Sequence, residues 1–359
     1  MLFVLKRSMR IPLFSTIGLA EVITLMRNLA MTLKAGVPVA KALSLFEQDA
    51  TGQRRAVIRH LKETVEGGRT FAAGMESSPR AFPSIAIHLV KVGELSGTLV
   101  ENIEALVRHL RRTLDLRRKI RSAMMYPTFV FVACAGLGLS VGTLVLPQLL
   151  PLFESLDMEL PLSTRILIVF ARFFQAYGVN FSVGVIAILI GLFALTRLEK
   201  VKPFLHHLYL WIPFIRMVQR EAAIAQFAST LATLLKSGIV VREAIPAAGE
   251  AVENRIFRRA ILAALPAVEG GRTLSEGLQI SGKLFPDMTL SLIAIGEETG
   301  ELASTLEYLA EYYQSEVDYA IKDLTTALEP ALLIGIGLLV GFTVMSIITP
   351  LYEVTGSIQ

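Results

Sequence analysis

The sequence predicts an all-α membrane protein, in which two repeated cytoplasmic bundles of about six helices alternate with three transmembrane helices. Three observations support this fold class. Apolar residues make up 53% of the 359 residues and charged residues only 18%, with a mean hydropathy of +0.56. The charges are clustered, so that three long windows hold none of them. Short motifs also recur at a constant separation, which indicates an internal repeat.

The three charge-free windows are long enough to cross a membrane. They cover residues 122–153, 173–196 and 330–352. A transmembrane helix needs roughly 20 apolar residues to span a hydrocarbon core of ~30 Å. We therefore predict transmembrane helices at 124–150, 173–196 and 330–352. The N-terminal "MLFVLKRSMRIPLF" is not typical of a signal peptide, because its basic residues follow a short apolar stretch.

The positive charges predict the orientation in the membrane. Lysine and arginine are concentrated before the first span, in "RRTLDLRRKIR" at residues 111–121, and again after the second span, whereas the tail after the third has neither. Positive residues remain on the cytoplasmic side. We therefore expect a cytoplasmic N-terminus, with the loop at 151–172 and the tail at 353–359 on the outer side. Beside a span, the basic run favours contact with membrane lipid and not with nucleic acid.

Short motifs recur about two hundred residues apart. The motif "EGGRT" stands at Glu66–Thr70 and again at Glu269–Thr273, an offset of 203 residues. Earlier in each half, "LKAG" at 33–36 matches "LKSG" at 235–238 with an offset of 202. The second copy therefore carries one inserted residue between these two motifs. Pro127, near the start of the first span, returns as Pro330 in the third.

Each half is predicted to be a helical domain that leads into a span. Leu25, Leu29 and Leu33 recur at helical spacing, and neither half shows an alternating strand pattern. We predict a short N-terminal segment at 1–17, helical domain 1 at 18–121 and helical domain 2 at 197–328. Capping boxes are predicted to open the last helix of each domain, formed by Thr98 with Glu101 and by Ser304 with Glu307.

A repeated Gly-Glu turn is the strongest candidate functional feature. It reads "GELSGTL" in domain 1 and "GEETGEL" in domain 2. The residues that recur are Gly93, Glu94 and Gly97, and then Gly296, Glu297 and Gly300. The first glycine is predicted to end one helix and the second to permit a tight turn into the next. A carboxylate near a helix N-terminus gains roughly 0.3–1 kcal/mol, but Ser, Asp or Asn would also serve as a cap. We therefore hypothesise that the acids dock a basic partner.

The remaining motifs do not indicate catalysis. The stretch "GLQISGKL" at 277–284 imitates a phosphate-binding loop, but Leu284 stands where serine or threonine would hold magnesium. The histidines show neither metal-ligand spacing nor a catalytic grouping. Glycines four residues apart inside the spans indicate close helix packing in lipid. These predicted packing residues are Gly138, Gly142, Gly337 and Gly341.

These features together resemble a known family, the F-domain platform proteins of type II secretion and type IV pilus systems. The shared features are twin helical domains, a G-E-x-x-G-x-L turn in each, and spans opened by proline in "MMYP" at 124–127 and "ALEP" at 327–330. The resemblance covers about residues 18–352. Relatives typically begin with a further small N-terminal domain, which this sequence does not show.

The resemblance implies a place and a role. The protein would be a multi-pass protein of the bacterial inner membrane, with a cytoplasmic N-terminus and a periplasmic C-terminus. It would have no enzymatic activity of its own. It would couple a cytoplasmic ATPase, acting in trans, to the assembly of pilins or pseudopilins. Its other partners would be further inner-membrane platform proteins and copies of itself.

The resemblance also implies calcium as a ligand, because some relatives bind it through three acids. The corresponding positions hold Thr51, Glu104 and Arg108 in domain 1, and Glu253, Glu307 and Glu311 in domain 2. Only domain 2 therefore keeps three carboxylates, which calcium accepts as ligands. The alternative is a solvated acidic helix face. No other cofactor is predicted.

The alternative function is a small transporter or channel subunit with helical regulatory domains. No ionisable residue lies at the centre of a predicted span, and transporters usually place such residues there. A membrane-bound enzyme has no supporting group of residues. The sequence therefore favours the assembly platform.

Overall fold

The computed structural model describes residues 17–123, 125–140 and 213–356, with isolated positions between 165 and 184. All regular structure in these residues is helical, so the prediction of an all-α protein is confirmed. The chain divides into two compact units. The first, which we call the helical unit, contains Met1–Lys119 and Ile215–Asp318, and the second contains Ile120–Phe214 and Tyr319–Gln359.

Domain 1 contributes six helices to the helical unit. They are α1 (Leu19–Lys34), α2 (Val39–Asp49), α3 (Gly52–Glu66), α4 (Phe71–Glu76), α5 (Ser84–Ser96) and α6 (Leu99–Ala123). Each of the longer helices buries one apolar stripe. On α1 the buried residues include Val22, Leu25 and Leu29, which recur three or four residues apart and so share one face.

Domain 2 has helices in the same order, with one break. They are α8 (Pro213–Lys236), α9 (Val241–Ala251), α10 (Arg255–Ala263), α11 (Leu265–Glu269), α12 (Leu274–Gln279), a 3₁₀ turn (Gly282–Leu284), α13 (Asp287–Glu298) and α14 (Leu302–Gly356). Helices α10 and α11 together occupy the place of α3. Pro266 stands in the first turn of α11, and proline has no N–H to continue a helix, so the segment is split there.

Matching positions of the two domains are buried in the same way. With the offset of 202 residues, three pairs on α1 and α8 are each no more than 2% exposed: Val22 with Ile224, Leu25 with Phe227, and Leu29 with Leu231. In domain 2 the rings of Phe227 and Phe257 both contact Phe285, with centroids 6.2 and 5.8 Å apart. Burial of one such side chain stabilises the fold by roughly 1.5–3 kcal/mol.

The second unit contains α7 (Met125–Ser140), which lies within the predicted first span. The predicted third span, 330–352, lies within α14. The predicted span at 173–196 and the loop at 151–172 fall mostly outside the described residues. Among the residues that the structure does describe, no helix is both long and apolar enough to cross a membrane. The number of spans therefore stays a prediction.

The glycines predicted to pack helices in lipid are described only in part. Gly138 lies in α7, and Gly142 lies outside the described residues. A Cβ added at Gly337 or Gly341 on α14 would meet no described atom within 4 Å. Their role in helix packing stays a prediction.

The start of α14 differs from the predicted capping box. The helix begins at Leu302, so Ser304 lies inside it and its hydroxyl donates a hydrogen bond of 2.8 Å to the Glu301 carboxylate. The box of Ser304 with Glu307 is therefore wrong, because Gly300 ends the preceding turn and leaves only Glu301 before the helix. In domain 1, Thr98 does stand directly before α6.

Candidate docking site

The carboxylate of Glu94 caps the N-terminus of α4. Its two oxygens accept hydrogen bonds from the backbone N–H groups of Phe71, at 2.6 Å, and Ala72, at 2.8 Å. The hydroxyl oxygen of Thr70 accepts from the N–H of Ala73 at 3.1 Å. The first N–H groups of a helix have no acceptor within it, and a negative charge there is favourable. Three of these groups on α4 are therefore satisfied by two side chains.

Glu297 makes the same arrangement in domain 2. Its oxygens accept from the N–H groups of Leu274, at 2.6 Å, and Ser275, at 3.1 Å. Thr273 accepts from the N–H of Glu276 at 3.2 Å. The threonine of "EGGRT" and the glutamate of the Gly-Glu turn therefore cap the N-terminus of the same helix. Sequence reasoning treated the two motifs separately, although their common offset of 203 residues was a signal that they act together.

The first glycine of each turn permits a close approach of two helices. Gly93 is buried inside α5, and a Cβ placed on it would lie 2.8 Å from the Cα of Leu99 at the start of α6. At Gly296, inside α13, the nearest atoms would be Thr305 Oγ1 at 2.8 Å, Thr305 Cβ at 3.0 Å and the Cα of Leu302 at 3.1 Å. The prediction that these glycines end a helix is therefore wrong, because each helix continues beyond them.

The second glycine of each turn ends the helix. Gly97 has φ +73° and Gly300 has φ +75°, a left-handed conformation that glycine adopts without strain. This matches the tight turn that the sequence predicts. The two glycines of the motif thus have different roles, one in helix contact and one in the turn.

Each of the two glutamates is half-buried and is engaged inside its own domain. Glu94 holds the start of α4 against α5, and Glu297 holds the start of α12 against α13. This contact explains why an acid stands at both positions, since a carboxylate accepts two backbone hydrogen bonds at once. Docking of a partner by Glu94 or Glu297 and their flanking glycines stays a prediction.

The structure does not bring the predicted calcium ligands together. Each of the three carboxylates is paired with a different basic side chain: Glu253 with Arg117 at 2.8 Å, Glu311 with Arg112 at 4.0 Å, and Glu307 with Lys236. No group of three potential metal ligands lies together in the described parts of the chain. The residues therefore do not fit a calcium site.

The lysine that pairs with Glu307 has a counterpart in domain 1. There Lys34 Nζ lies 3.2 Å from the carboxylate of Glu104. Both pairs join the end of the first helix of a domain to its last helix. These pairs are exposed, and exposed ion pairs contribute at most about 1 kcal/mol.

Comparison with known proteins decides the family. The model for "Type II secretion system (T2SS), protein F" matches residues 25–147 and again residues 227–350. This chain belongs to that family. It is 32% identical over 357 residues to the type IV pilus assembly protein PilC of Thermus thermophilus, covering 99% of this chain and 88% of the relative. It is 31% identical over 327 residues to the type II secretion system protein F of Pseudomonas aeruginosa, covering 90% and 80%.

In this member of the protein F family, a buried polar seam joins the two domains. We define the seam as His109 and Thr113 of α6 with Gln226, Ser229 and Thr230 of α8. The ring nitrogens of His109 lie 3.2 Å from Ser229 Oγ and 3.5 Å from Thr230 Oγ1, and Gln226 donates to Thr113 at 3.3 Å. His109 is one of the histidines that show no metal-ligand spacing or catalytic grouping, and the sequence did not indicate these partners.

Ion pairs extend the contact between the domains beyond the seam. Arg112, Arg117 and Lys119 all belong to the basic run of residues 111–121, and each lies beside an acid of domain 2. The tightest of these pairs joins Lys119 to Asp318 at 2.7 Å. The basic run therefore also binds domain 2, besides its predicted role in orientation.

The buried histidine predicts how stability depends on pH. Burial, aided by the charge of Arg112, lowers the pKa of His109 to about 4, whereas an unfolded histidine titrates near 6.5. Between these values the unfolded chain binds a proton that the folded chain does not. The buried His109 therefore does not lower the free energy of unfolding above about pH 6.5. Below that pH the free energy of unfolding falls towards pH 4, by up to about 3 kcal/mol.

His109→Gln is expected to reduce this loss of stability. The measurement is chemical unfolding of the purified full chain in detergent at pH 7 and pH 5, followed by circular dichroism. His88→Gln is the matched control, because His88 is only half-buried and bonds within its own helix. If His109→Gln loses as much stability on acidification as the native chain, burial of His109 does not set the pH dependence.

Proposed function

We propose that this chain is a non-enzymatic assembly platform of the bacterial inner membrane that serves type II secretion or type IV pilus biogenesis. The observation that carries the proposal is the match of the protein F family to both halves of the chain. Relatives from both systems cover most of their own length in the alignment. The all-helical fold agrees with a scaffold that binds proteins.

The proposed arrangement is multi-pass, with helical domains 1 and 2 as repeated domains in the cytoplasm and three spans between and after them. The N-terminus lies in the cytoplasm and the C-terminus in the periplasm. The distribution of lysine and arginine supports this orientation. The basic run of residues 111–121, beside the first span, is suited to contact anionic lipid headgroups.

An assembly ATPase is proposed to act on the platform in trans. The stretch 277–284 supports this, because it forms the end of α12 and a 3₁₀ turn. A phosphate-binding loop instead joins a strand to a helix. Pilins or pseudopilins, other inner-membrane platform proteins and further copies of this chain complete the proposed partners, and nucleic acid is not among them.

Deletion of the gene tests the proposal. We expect the deletion strain to lose surface filaments, secreted proteins or DNA uptake, all assayed in parallel, and a plasmid copy of the gene to restore the loss. Co-purification of an assembly ATPase with the tagged full chain tests the coupling. A deletion strain unaltered in all three assays would overturn the platform function.

A further inference from the structure

Each domain contributes two helices to the contact between the domains. Each of these helices has a counterpart in the other domain that lies outside the contact. Domain 1 contributes α5 and α6, and domain 2 contributes α8 and α9. With the offsets of 202 and 203 residues, α13 and α14 correspond to α5 and α6, while α1 and α2 correspond to α8 and α9. We call α13–α14 outer face 2 and α1–α2 outer face 1.

Outer face 2 exposes large apolar side chains where its counterpart is buried. Met288 on α13 is 43% exposed, whereas Ile85, at the matching position of α5, is 3% exposed. Ile295 is 53% exposed, whereas its counterpart Val92 is partly buried and packs against the core. The counterpart residues lie on α5, the helix that packs against α9 of domain 2.

Outer face 1 shows the same difference. Leu45 on α2 is 48% exposed, whereas Ala247, at the matching position of α9, is fully buried. Met31 on α1 is 66% exposed, whereas its counterpart Thr233 is half-buried beside His109. Both outer faces thus carry exposed apolar residues on helices whose counterparts form the contact between the domains.

The two outer faces are chemically complementary. In the contact between the domains, His109 faces Ser229 and Thr230 of the seam and also Thr233. On outer face 2, Tyr312 stands at the position that corresponds to His109. On outer face 1, the positions that correspond to Ser229, Thr230 and Thr233 hold, in that order, Arg27, Asn28 and Met31. A guanidinium stacks on a tyrosine ring, a methionine sulfur packs against an aromatic ring, and an asparagine amide bonds a phenol oxygen.

Tyr312 is already held in place for such a contact. Its ring stacks on Tyr308 with centroids 6.5 Å apart and meets Tyr313 edge-on at 5.2 Å. In the seam, Gln226 bonds Thr113. The position that corresponds to Thr113 holds Glu316 on α14, and the position that corresponds to Gln226 holds Thr24 on α1. A threonine hydroxyl donates readily to a carboxylate, so this pair is also complementary.

Within one chain, the two outer faces do not pack against each other among the described helices. Helix α5 packs against α9, but their counterparts α13 and α2 make no comparable contact among the described helices. The domains are therefore not related by a two-fold axis that would use both sets of helices. A contact of this head-to-tail kind leaves one face free at each end, and each free face fits a further copy.

We propose that outer face 2 of one chain binds outer face 1 of a second copy of this chain, repeating between chains the contact that joins the domains within one. Tyr312 then lies against Arg27, Asn28 and Met31 of the next chain. The proposal rests on the self-association included in the proposed function. It does not depend on the secretion or pilus role.

Cysteine crosslinking between differently tagged full chains tests this contact. Cys134 is the only native cysteine and is first replaced by serine. One tagged chain carries Tyr312→Cys, the other Met31→Cys, and the two are expressed together and treated in membranes with a short bis-maleimide. We expect a crosslinked dimer that contains both tags and a matching loss of monomer. Adding Arg27→Glu to the Met31→Cys chain is expected to reduce that product.

The matched control replaces Met31→Cys with Gln53→Cys, which is exposed on α3 and away from both outer faces. Equal yields with Gln53→Cys, or no product carrying both tags, would overturn the proposal. A dominant dimer through Tyr312→Cys alone would also overturn it, because it would indicate a two-fold contact. If the expected crosslink forms and gene deletion alters none of the three assays, the interface stands and the platform function fails.

Discussion

Glu94→Gln and Glu297→Gln are each expected to destabilise the full chain by about 2–3 kcal/mol, because hydrogen bonds to a charged group contribute about 1.5–3 kcal/mol. Each carboxylate accepts two backbone N–H groups at the start of a short helix. Glutamine keeps one acceptor and turns its amide N–H₂ towards a second donor. The measurement is thermal unfolding of the purified chain in detergent by circular dichroism.

Glu298→Gln is the matched control, because Glu298 is the exposed neighbour of Glu297. Its effect is expected to stay within about 0.5 kcal/mol, as at most surface sites. Equal unfolding temperatures for Glu297→Gln and Glu298→Gln would contradict the capping role. A Glu94→Gln chain that keeps its unfolding temperature but fails to support assembly would instead favour partner docking.

Gly93→Ala is expected to destabilise the chain by about 3 kcal/mol, at the upper end of overpacking effects. The added Cβ would lie 2.8 Å from the backbone Cα of Leu99, so α5 and α6 must move apart. Gly296→Ala should cost less, because the nearest backbone atom, the Cα of Leu302, lies at 3.1 Å and the contact at 2.8 Å is with the side-chain oxygen of Thr305. Unfolding in urea, compared at one pH, measures both.

Gly97→Ala and Gly136→Ala are the controls for the glycine series. No described atom lies within 4 Å of a Cβ added at either position, but Gly97 has φ +73°. Alanine there costs about 1–2 kcal/mol of left-handed strain. Gly136 lies in α7, where alanine is expected to be neutral or slightly stabilising. If Gly93→Ala unfolds like Gly136→Ala, close packing of α5 on α6 is not limiting.

Local patterns were sufficient for the helices. The apolar spacing of Leu25, Leu29 and Leu33 predicts α1, because residues three and four apart share one face of a helix. The motif "EGGRT" and the Gly-Glu turn recur with one offset, which is enough to place both domains. These properties depend on residues that are close together in the sequence, and so they can be predicted from the sequence.

Partners distant in sequence could not be predicted. Arg117 and Glu253 are 136 residues apart, and each is only a charged residue on a helix until the domains pack. The calcium prediction was limited in the same way. It relied on which residue types are present, whereas the ion pairs depend on which cations the packing of α6, α8 and α14 brings near the carboxylates.

The sequence by itself determined the helices, the repeated turn and the positions of its glycines and glutamates. Only the tertiary structure decided what those residues do. It placed Glu94 on the start of α4, which lies 22 and 23 residues away in sequence, and Gly93 where α5 and α6 meet. The physical reason is that helix propensity and apolar spacing are local, whereas a hydrogen bond or a close approach requires two surfaces that only packing brings together.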